Sequence, residues 1–330
     1  MKKILLITTG GTIASTNANK QGFTPTLTPD DLLALVEEPL LEVTVDTYAV
    51  MNIDSTNMQP EDWQLLAQTI EERYQEYDGF VIAHGTDTMA YTSAALSYML
   101  QNVGKPVVLT GSQVPMGVLG TDAKRNLADA FTFAANGAAG VYVVFCGRVI
   151  RGTRAMKMRT QSYDAFFSVN ASDVGTVRNQ TIIYHDSFQP EEKIGPFQVN
   201  TLLCPDVFVL KLHPGVKEEL FDVLPTLYRG VIIESFGNGG LPFKGRNLLK
   251  KVKQLIEANV AVVITTQCLE EGEHLETYEV GKKVAEMNVI VTGDMNTEAI
   301  VAKLMWALGQ TKEIDEVKRL IEEPICFDRT

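Results

Sequence analysis

Ile4-Leu5-Leu6-Ile7-Thr8-Thr9-Gly10-Gly11-Thr12-Ile13-Ala14 opens the chain with an apolar, strand-like run that ends on hydroxyls and paired glycines. Phe80-Val81-Ile82-Ala83-His84-Gly85-Thr86-Asp87-Thr88-Met89-Ala90 follows the same plan, and from Thr88 to Leu100 the pattern turns helical. An open α/β sheet takes its ligand just beyond the carboxyl ends of its strands. Both stretches put hydroxyls and close-approach glycines at that place, and the second adds a carboxylate. The pair reads as one active site on an α/β fold.

Outward from these stretches the pattern alternates. β-branched runs recur at Lys2–Thr8, Val43–Val50, Phe80–Ala83, Val107–Thr110 and Val141–Phe145, with helical periodicity between them. That is the signature of βα units around a largely parallel sheet. Thr28-Pro29-Asp30-Asp31 predicts a helix start, with a capping hydroxyl and a proline at the first helical position. Further helices are expected from Gln59 to about Tyr77 and from Ala123 to Asn136. From Arg148 to about Ser187 shorter strands with turn residues predict an antiparallel edge or hairpin. The expected domains are 1–188 and 207–330, joined by a proline-bearing linker over 189–206. The second domain has strands at Val207–Leu212, Val231–Ser235, Val260–Thr265 and Val289–Val291. Helices are expected near 217–228, 245–258, 276–287, 297–308 and 313–322, so this domain reads as a smaller, doubly wound parallel sheet.

Composition fits a large core, with 330 residues and 45% hydrophobic content. A net charge of −12 without a basic run excludes a nucleic-acid surface. Cys146, Cys204, Cys268 and Cys326 are scattered, with no metal-ligand spacing, and read as reduced thiols, mostly in the core, of a cytosolic protein. The apolar run after Met1-Lys2-Lys3 is too short for a signal peptide, and no segment is long enough to span a membrane.

Two readings of each motif stay open on the residues alone. Gly10-Gly11 lets the backbone turn tightly and approach a ligand, so Thr12 is placed as a nucleophile or lies in an ordinary strand-to-helix turn. It matches neither GxGxxG nor a P-loop. Asp87 or Thr88 could cap the following helix, whose N-terminal amides would also suit a substrate carboxylate or an oxyanion. A threonine nucleophile needs a base. His84 is adjacent, yet strand alternation turns it to the face opposite Gly85. Lys157, flanked by Met156 and Met158, is the alternative, since burial can lower a lysine's pKa.

Together and in order, these motifs closely resemble the bacterial-type L-asparaginases, and their cytoplasmic type I branch in particular. Thr9–Ala14 resembles the first signature of that family and Gly79–Met89 its second. Asn52–Met58, Leu109–Gln113, Gly152–Lys157 and Gly293-Asp294-Met295 add to the resemblance, which spans nearly the whole chain. It implies a two-domain asparaginase-like α/β fold, with a larger N-terminal mixed sheet and a smaller C-terminal one.

The resemblance also implies hydrolysis of L-asparagine to L-aspartate and ammonia, without metal or organic cofactor. Thr12 would attack the side-chain amide to form an acyl-enzyme. Thr86, Lys157 and Asp87 would form a second cluster, the lysine taking a proton from the threonine. Asp54-Ser55-Thr56 would bind the α-carboxylate, Gly85, Thr86 and Asp87 the substrate beside it, with Asp87 on the α-amine, and Ser112 the amide end. One departure is notable: the family's lid tyrosine corresponds to Phe23, whose ring would pack in a lid loop over 17–25, so that either Thr24 or water relays the proton or activity is reduced. The resemblance further implies a homodimer or homotetramer, with a neighbour's Glu276 or Glu279 near the substrate amine. A related amidotransferase subunit carries an extra N-terminal domain, whereas this chain starts at the first strand. A non-catalytic amino-acid sensor would not need Thr12, Thr86, Asp87 and Lys157 together.

Overall fold

The computed structural model describes residues 1–16, 24–25, 27–36, 43–277 and 279–330. Two compact units result, Met1–Thr201 and Leu202–Thr330, so the division falls inside the stretch read as a linker.

The first unit is built on an eight-stranded sheet. Its strands are β1 (Lys2–Gly10), β2 (Val43–Ile53), β3 (Gly79–Ala83), β4 (Pro106–Thr110), β5 (Gly140–Phe145), β6 (Arg148–Arg151), β7 (Gly175–Arg178) and β8 (Thr181–Tyr184). They lie in the order β8-β7-β6-β5-β4-β3-β1-β2. Strands β2, β1, β3, β4 and β5 are parallel, and β6 to β8 pair antiparallel at one edge. The continuous apolar runs of β1, β3, β4 and β5 follow from burial on both faces. On one face Leu127, Phe131 and Ala134 of α4 (Ala123–Asn136) pack on Ile4, Leu6, Val81 and Val108. On the other, α3 (Met89–Met99) lies along β4 and β5, with α2 (Pro60–Arg73) beside it. Burying each such large side chain contributes about 1.5–3 kcal/mol. The helix α1 (Pro29–Ala34) starts where the residues predict, with a Thr28–Asp31 capping box. Helix α2 is one turn shorter than expected, because Tyr74 N–H turns to Glu71 O and its ring stacks on Phe197.

The second unit has four parallel strands, β9 (Val207–Lys211), β10 (Gly230–Ser235), β11 (Ala261–Thr266) and β12 (Ile290–Val291), in sequence order. Helices α5 (Leu220–Leu227) and α6 (Leu248–Glu257) cover one face, where Phe221, Leu224 and Val252 meet Val231, Ile233 and Ile264. Helix α8 (Thr297–Gln310) covers the other, where its Leu304 and Leu308 abut Gly230. The doubly wound expectation is corrected in one respect. The strand order never reverses, and the second face is filled by helices that follow the last strand, α8 and then α9 (Ile314–Glu322). The expected helix at 276–287 is a 3-10 turn, Leu275–Thr277, and then α7 (Glu279–Ala285). The outer edge of β12 is closed by side chains: Val291 N–H donates to Glu322 and Val291 O accepts from Arg329, which blocks pairing with a further strand.

No described helix is long and apolar enough to cross a membrane. None of the four cysteines is in a disulfide, but only Cys204 is buried; Cys146 and Cys326 are half-buried and Cys268 is exposed, against the expectation of a mostly core location. Cys146 and Cys326 sit at φ +51°, in turns rather than in packed elements.

Candidate active site

The parallel strands run β2-β1-β3 in space, so the winding reverses between β1 and β3. Such a reversal opens a crevice at the carboxyl ends of the two strands, where open α/β sheets take their ligands. Thr12 follows β1, Asp54-Ser55-Thr56 follows β2, Gly85-Thr86-Asp87 follows β3, and Ser112 follows β4.

Glycine lets these loops touch. Gly11 has φ +76°, and a Cβ on it would lie 2.5 Å from both N and Cα of Gly85. A Cβ on Gly85 would lie 2.5 Å from Ser55 Oγ. Only residues without a Cβ allow this approach. Gly11 N–H donates to Ile53 O at 2.9 Å, and Thr88 Oγ1 donates to Ser55 O at 2.8 Å. Thr12, half-buried, opens a short 3-10 turn, Thr12–Ala14.

Asp54 turns inward on its own loop. Its Oδ1 accepts from Thr56 N–H at 2.9 Å and from Thr56 Oγ1 at 2.8 Å, capping the 3-10 turn Ser55–Asn57. Ser55 is buried, whereas Asp54 and Thr56 are exposed. The capping role left open for Asp87 and Thr88 is not taken up. Thr88 occupies the N-cap position of α3, but its hydroxyl is spent on Ser55 O rather than on the helix.

Lys157 arrives from outside the main sheet. A two-stranded antiparallel ribbon pairs Ala155–Lys157 with Phe166–Ser168. Its approach is fixed at Gly152, which packs under Ser97 Oγ and whose carbonyl accepts from Ser93 Oγ at 2.8 Å. Lys157 Nζ donates to Thr86 Oγ1 at 2.7 Å and to Asp87 Oδ1 at 2.6 Å. The Lys157 side chain is 16% exposed and that of Asp87 56%. Asp87 therefore keeps one oxygen toward solvent while the other holds the ammonium.

His84 stays out of this group. It is wholly buried, and burial pushes its pKa down to about 4. Nδ1 lies 2.7 Å from Gly85 O, a carbonyl that can only accept, so Nδ1 carries the proton. Nε2 then accepts from Thr92 Oγ1 at 3.0 Å, which itself accepts from Trp63 Nε1–H at 3.0 Å. The neutral ring is a strut under the Gly85 peptide.

Ser112 is fully buried, and its Oγ meets no hydrogen-bond partner among the described residues. An unpaired buried hydroxyl costs about 1–3 kcal/mol, so the position favours a ligand that would pair it. Sequence reasoning missed the scaffold beside it. The Asp122 carboxylate accepts from Gln113 N–H at 3.1 and 3.0 Å and from Val114 N–H at 3.0 Å. Asn126 Nδ2 reaches Asp122 Oδ2 at 3.1 Å and Gly111 O at 2.9 Å. Asp122 occupies the N-cap position of α4, yet its side chain caps nothing there.

Of the lid residues, Phe23 lies outside the described residues, and Thr24 is described only in its backbone, where Thr24–Pro25 pairs with Ser15–Thr16. Glu276 is exposed in its 3-10 turn and Glu279 opens α7, both in the second unit.

Comparison with known proteins gives this crevice a context. Residues 3–189 match the family model "Asparaginase, N-terminal", and residues 206–321 match "Glutaminase/Asparaginase C-terminal domain". The chain is 40% identical to the L-asparaginase of Thermococcus kodakarensis over 329 residues, 99% of each chain. The solved structure of the thermostable L-asparaginase from that organism superposes with a TM-score of 0.94 over 99% of both chains. L-asparaginase I from Vibrio cholerae follows at 34% identity and a TM-score of 0.87, covering 100% of this chain and 99% of its own. A glutamyl-tRNA(Gln) amidotransferase subunit from Pyrococcus furiosus is 36% identical over 96% of this chain and 74% of its own length. Matched in both halves and aligned over 99% of its length with an L-asparaginase, the chain belongs to the asparaginase family.

Proposed function

We propose that the protein hydrolyses L-asparagine to L-aspartate and ammonia through an ester on Thr12. One observation carries the reading: Lys157 Nζ bridges Thr86 Oγ1 and Asp87 Oδ1, at 2.7 and 2.6 Å, in the loop packed against the Thr12 turn. A structural lysine has no need of two hydroxyl- and carboxylate-bearing neighbours at the mouth of a glycine-lined crevice.

The chemistry follows from the groups. Thr12 Oγ attacks the side-chain amide carbon, its proton passes to the amide nitrogen, and the C–N bond breaks to release ammonia. The resulting ester is attacked by water, which splits it into aspartate and the regenerated Thr12 hydroxyl. Thr86 orients that water, passing a proton to Lys157 in its amine form, and Asp87 holds the amine in place. The free oxygen of Asp87 takes the α-ammonium of the substrate. The α-carboxylate is met by the turn of Ser55 and Thr56. Asp54, itself an anion that can only accept, shapes that turn instead of touching the carboxylate. Ser112 Oγ meets the amide end, and Gly85 leaves room for the substrate backbone.

The relatives named as amidotransferase subunits support a second reading, in which glutamine is the amide donor. We further propose a homodimer or homotetramer in the cytoplasm, the compartment that suits four cysteines outside any disulfide. Ammonia release from asparagine and from glutamine, each over a wide concentration range, separates the substrates, and light scattering gives the assembly. Thr12→Ala should lower turnover by about three or more orders of magnitude with the fold intact. A folded wild-type protein that releases ammonia from neither amide would refute the reading.

A further inference from the structure

We propose that Gln113 is a positioning residue for the hydrolysis, one that parks the Thr86 proton and fixes the ribbon that delivers Lys157. The inference rests on the amide hydrolysis proposed above and adds a residue to it.

The Thr86 hydroxyl must both accept and donate. Its oxygen already receives an N–H from Lys157 at 2.7 Å, so its own proton must go elsewhere. Among the described residues the acceptor is Gln113 Oε1 at 3.4 Å, a long contact. The orientation of that amide is fixed by its other end. Gln113 Nε2 donates to Ser162 O at 3.1 Å and to Arg159 O at 3.4 Å, and carbonyls can only accept. The NH2 group therefore faces the two carbonyls and the oxygen faces Thr86.

Arg159 and Ser162 lie in the loop joining the two ribbon strands, one of which ends at Lys157. One amide thus grips the hydroxyl and, on its far side, the tip of the element that carries the amine. The grip is itself anchored, because Gln113 N–H is held by Asp122, and Asp122 by Asn126.

Proton transfer depends on this grip. While Lys157 is an ammonium donating to Thr86 and Asp87, the Thr86 proton rests on Gln113. When Lys157 is an amine, the same proton must swing from Gln113 Oε1 to Nζ before Thr86 can act on water. A neutral amide suits that task, since it accepts the proton weakly and releases it. A carboxylate at the same place would hold the proton and also favour the ammonium form of Lys157. The charged groups around the pair are Asp87 on the Thr86 loop, Asp122 under the Gln113 backbone, and Arg159, which is paired with Asp164 in the ribbon loop.

The test compares Gln113→Ala, Gln113→Glu and wild type by ammonia release from L-asparagine across pH 5 to 10, with thermal midpoints in parallel. Gln113→Ala should lower kcat about a hundredfold, the effect of a 1 Å displacement of a reacting group, while KM changes less than about threefold. Gln113→Glu should move the alkaline-rising limb of kcat upward by about one pH unit or more, as expected for a new anion near an amine. A wild-type kcat in Gln113→Ala would overturn the proposal. So would a loss confined to the thermal midpoint, with the Gln113→Glu profile superimposed on wild type. Wild-type protein inactive on asparagine would instead strike at the hydrolysis itself, so the two failures are distinct.

Discussion

Replacing Gly11 by alanine tests whether the site is assembled by backbone contact. A Cβ at this position would lie 2.5 Å from Gly85 N and Cα, and ordinary contact begins at 3.4 Å. Both partners are backbone atoms of a buried loop, so no side chain can swing aside. The Thr12 turn and the Thr86 loop must therefore separate by about 0.9 Å, the difference between those two distances. Misplacing a reacting group by about 1 Å costs on the order of a hundredfold in rate, or about 2.7 kcal/mol of barrier. The φ of +76° adds a backbone penalty in the folded state, roughly 1–2 kcal/mol for a residue with a Cβ.

Gly245 separates the two effects. Its φ is also +76°, but nothing lies within 4 Å of its Cβ position. Gly245→Ala should lose about 1–2 kcal/mol of stability and keep its kcat. Gly11→Ala should lose at least that much stability, and its kcat should fall about a hundredfold. The assay is ammonia release from asparagine, with urea unfolding of both variants. A folded Gly11→Ala protein whose kcat lies within threefold of wild type would refute the idea that this contact sets the distance between Thr12 and Thr86.

Lys157→Met should abolish turnover while asparagine still binds, a split that calorimetric titration beside the ammonia assay would check. Lys303→Met should cost about 3–5 kcal/mol, because Lys303 and Asp328 are both fully buried at 2.6 Å. Adding Asp328→Asn should recover part of that loss in urea unfolding. His84 has a folded pKa of about 4, below its unfolded value of about 6.5. The unfolded state then binds the extra proton, and stability is lost as pH falls from about 6.5 to 4. His84→Gln should flatten that limb of the thermal midpoint. Glu273 runs the opposite way, since burial raises its pKa from 4.5 to about 7 and stability falls as pH rises through that window. Glu273→Gln should remove part of the decline. The half-buried Glu298, raised likewise to about 7, accounts for another part.

The parallel core was legible because a strand buried on both faces must be apolar throughout, as Ile4 to Ile7 and Phe80 to Ala83 are. Alternation along β3 also gave the direction of His84, away from Gly85. The strand order was not legible. Nothing in the spacing of β1, β2 and β3 tells that β3 returns to the far side of β1, and that reversal makes the crevice. Gln113, Asp122 and Asn126 were silent for a different reason. Asp122 acts on amides eight and nine residues back, a range at which no helical or strand period applies. The cysteines misled because their side chains are apolar enough for a core, whereas the backbone at Cys146 and Cys326 demands a turn.

The Lys157–Asp87 pair shows why such a site is not explained by stability. With the Asp87 side chain 56% exposed, the pair is screened by solvent, and pairs of that kind contribute about 0–1 kcal/mol. Ordering a lysine side chain costs up to about 2 kcal/mol. On that balance the lysine would be as well left free in water. It is held instead by the ribbon, by Gly152 packed under α3, and by the Gln113 grip on the ribbon loop. The parallel strands supply hydroxyls and glycines at fixed height, which is all that short loops at strand ends can carry. A long, cationic side chain must enter from the flank, and the antiparallel edge of the sheet provides the element that brings it there. The energy that holds Lys157 beside Thr86 therefore comes from packing elsewhere in the unit, and the ion pair itself is spent on the chemistry.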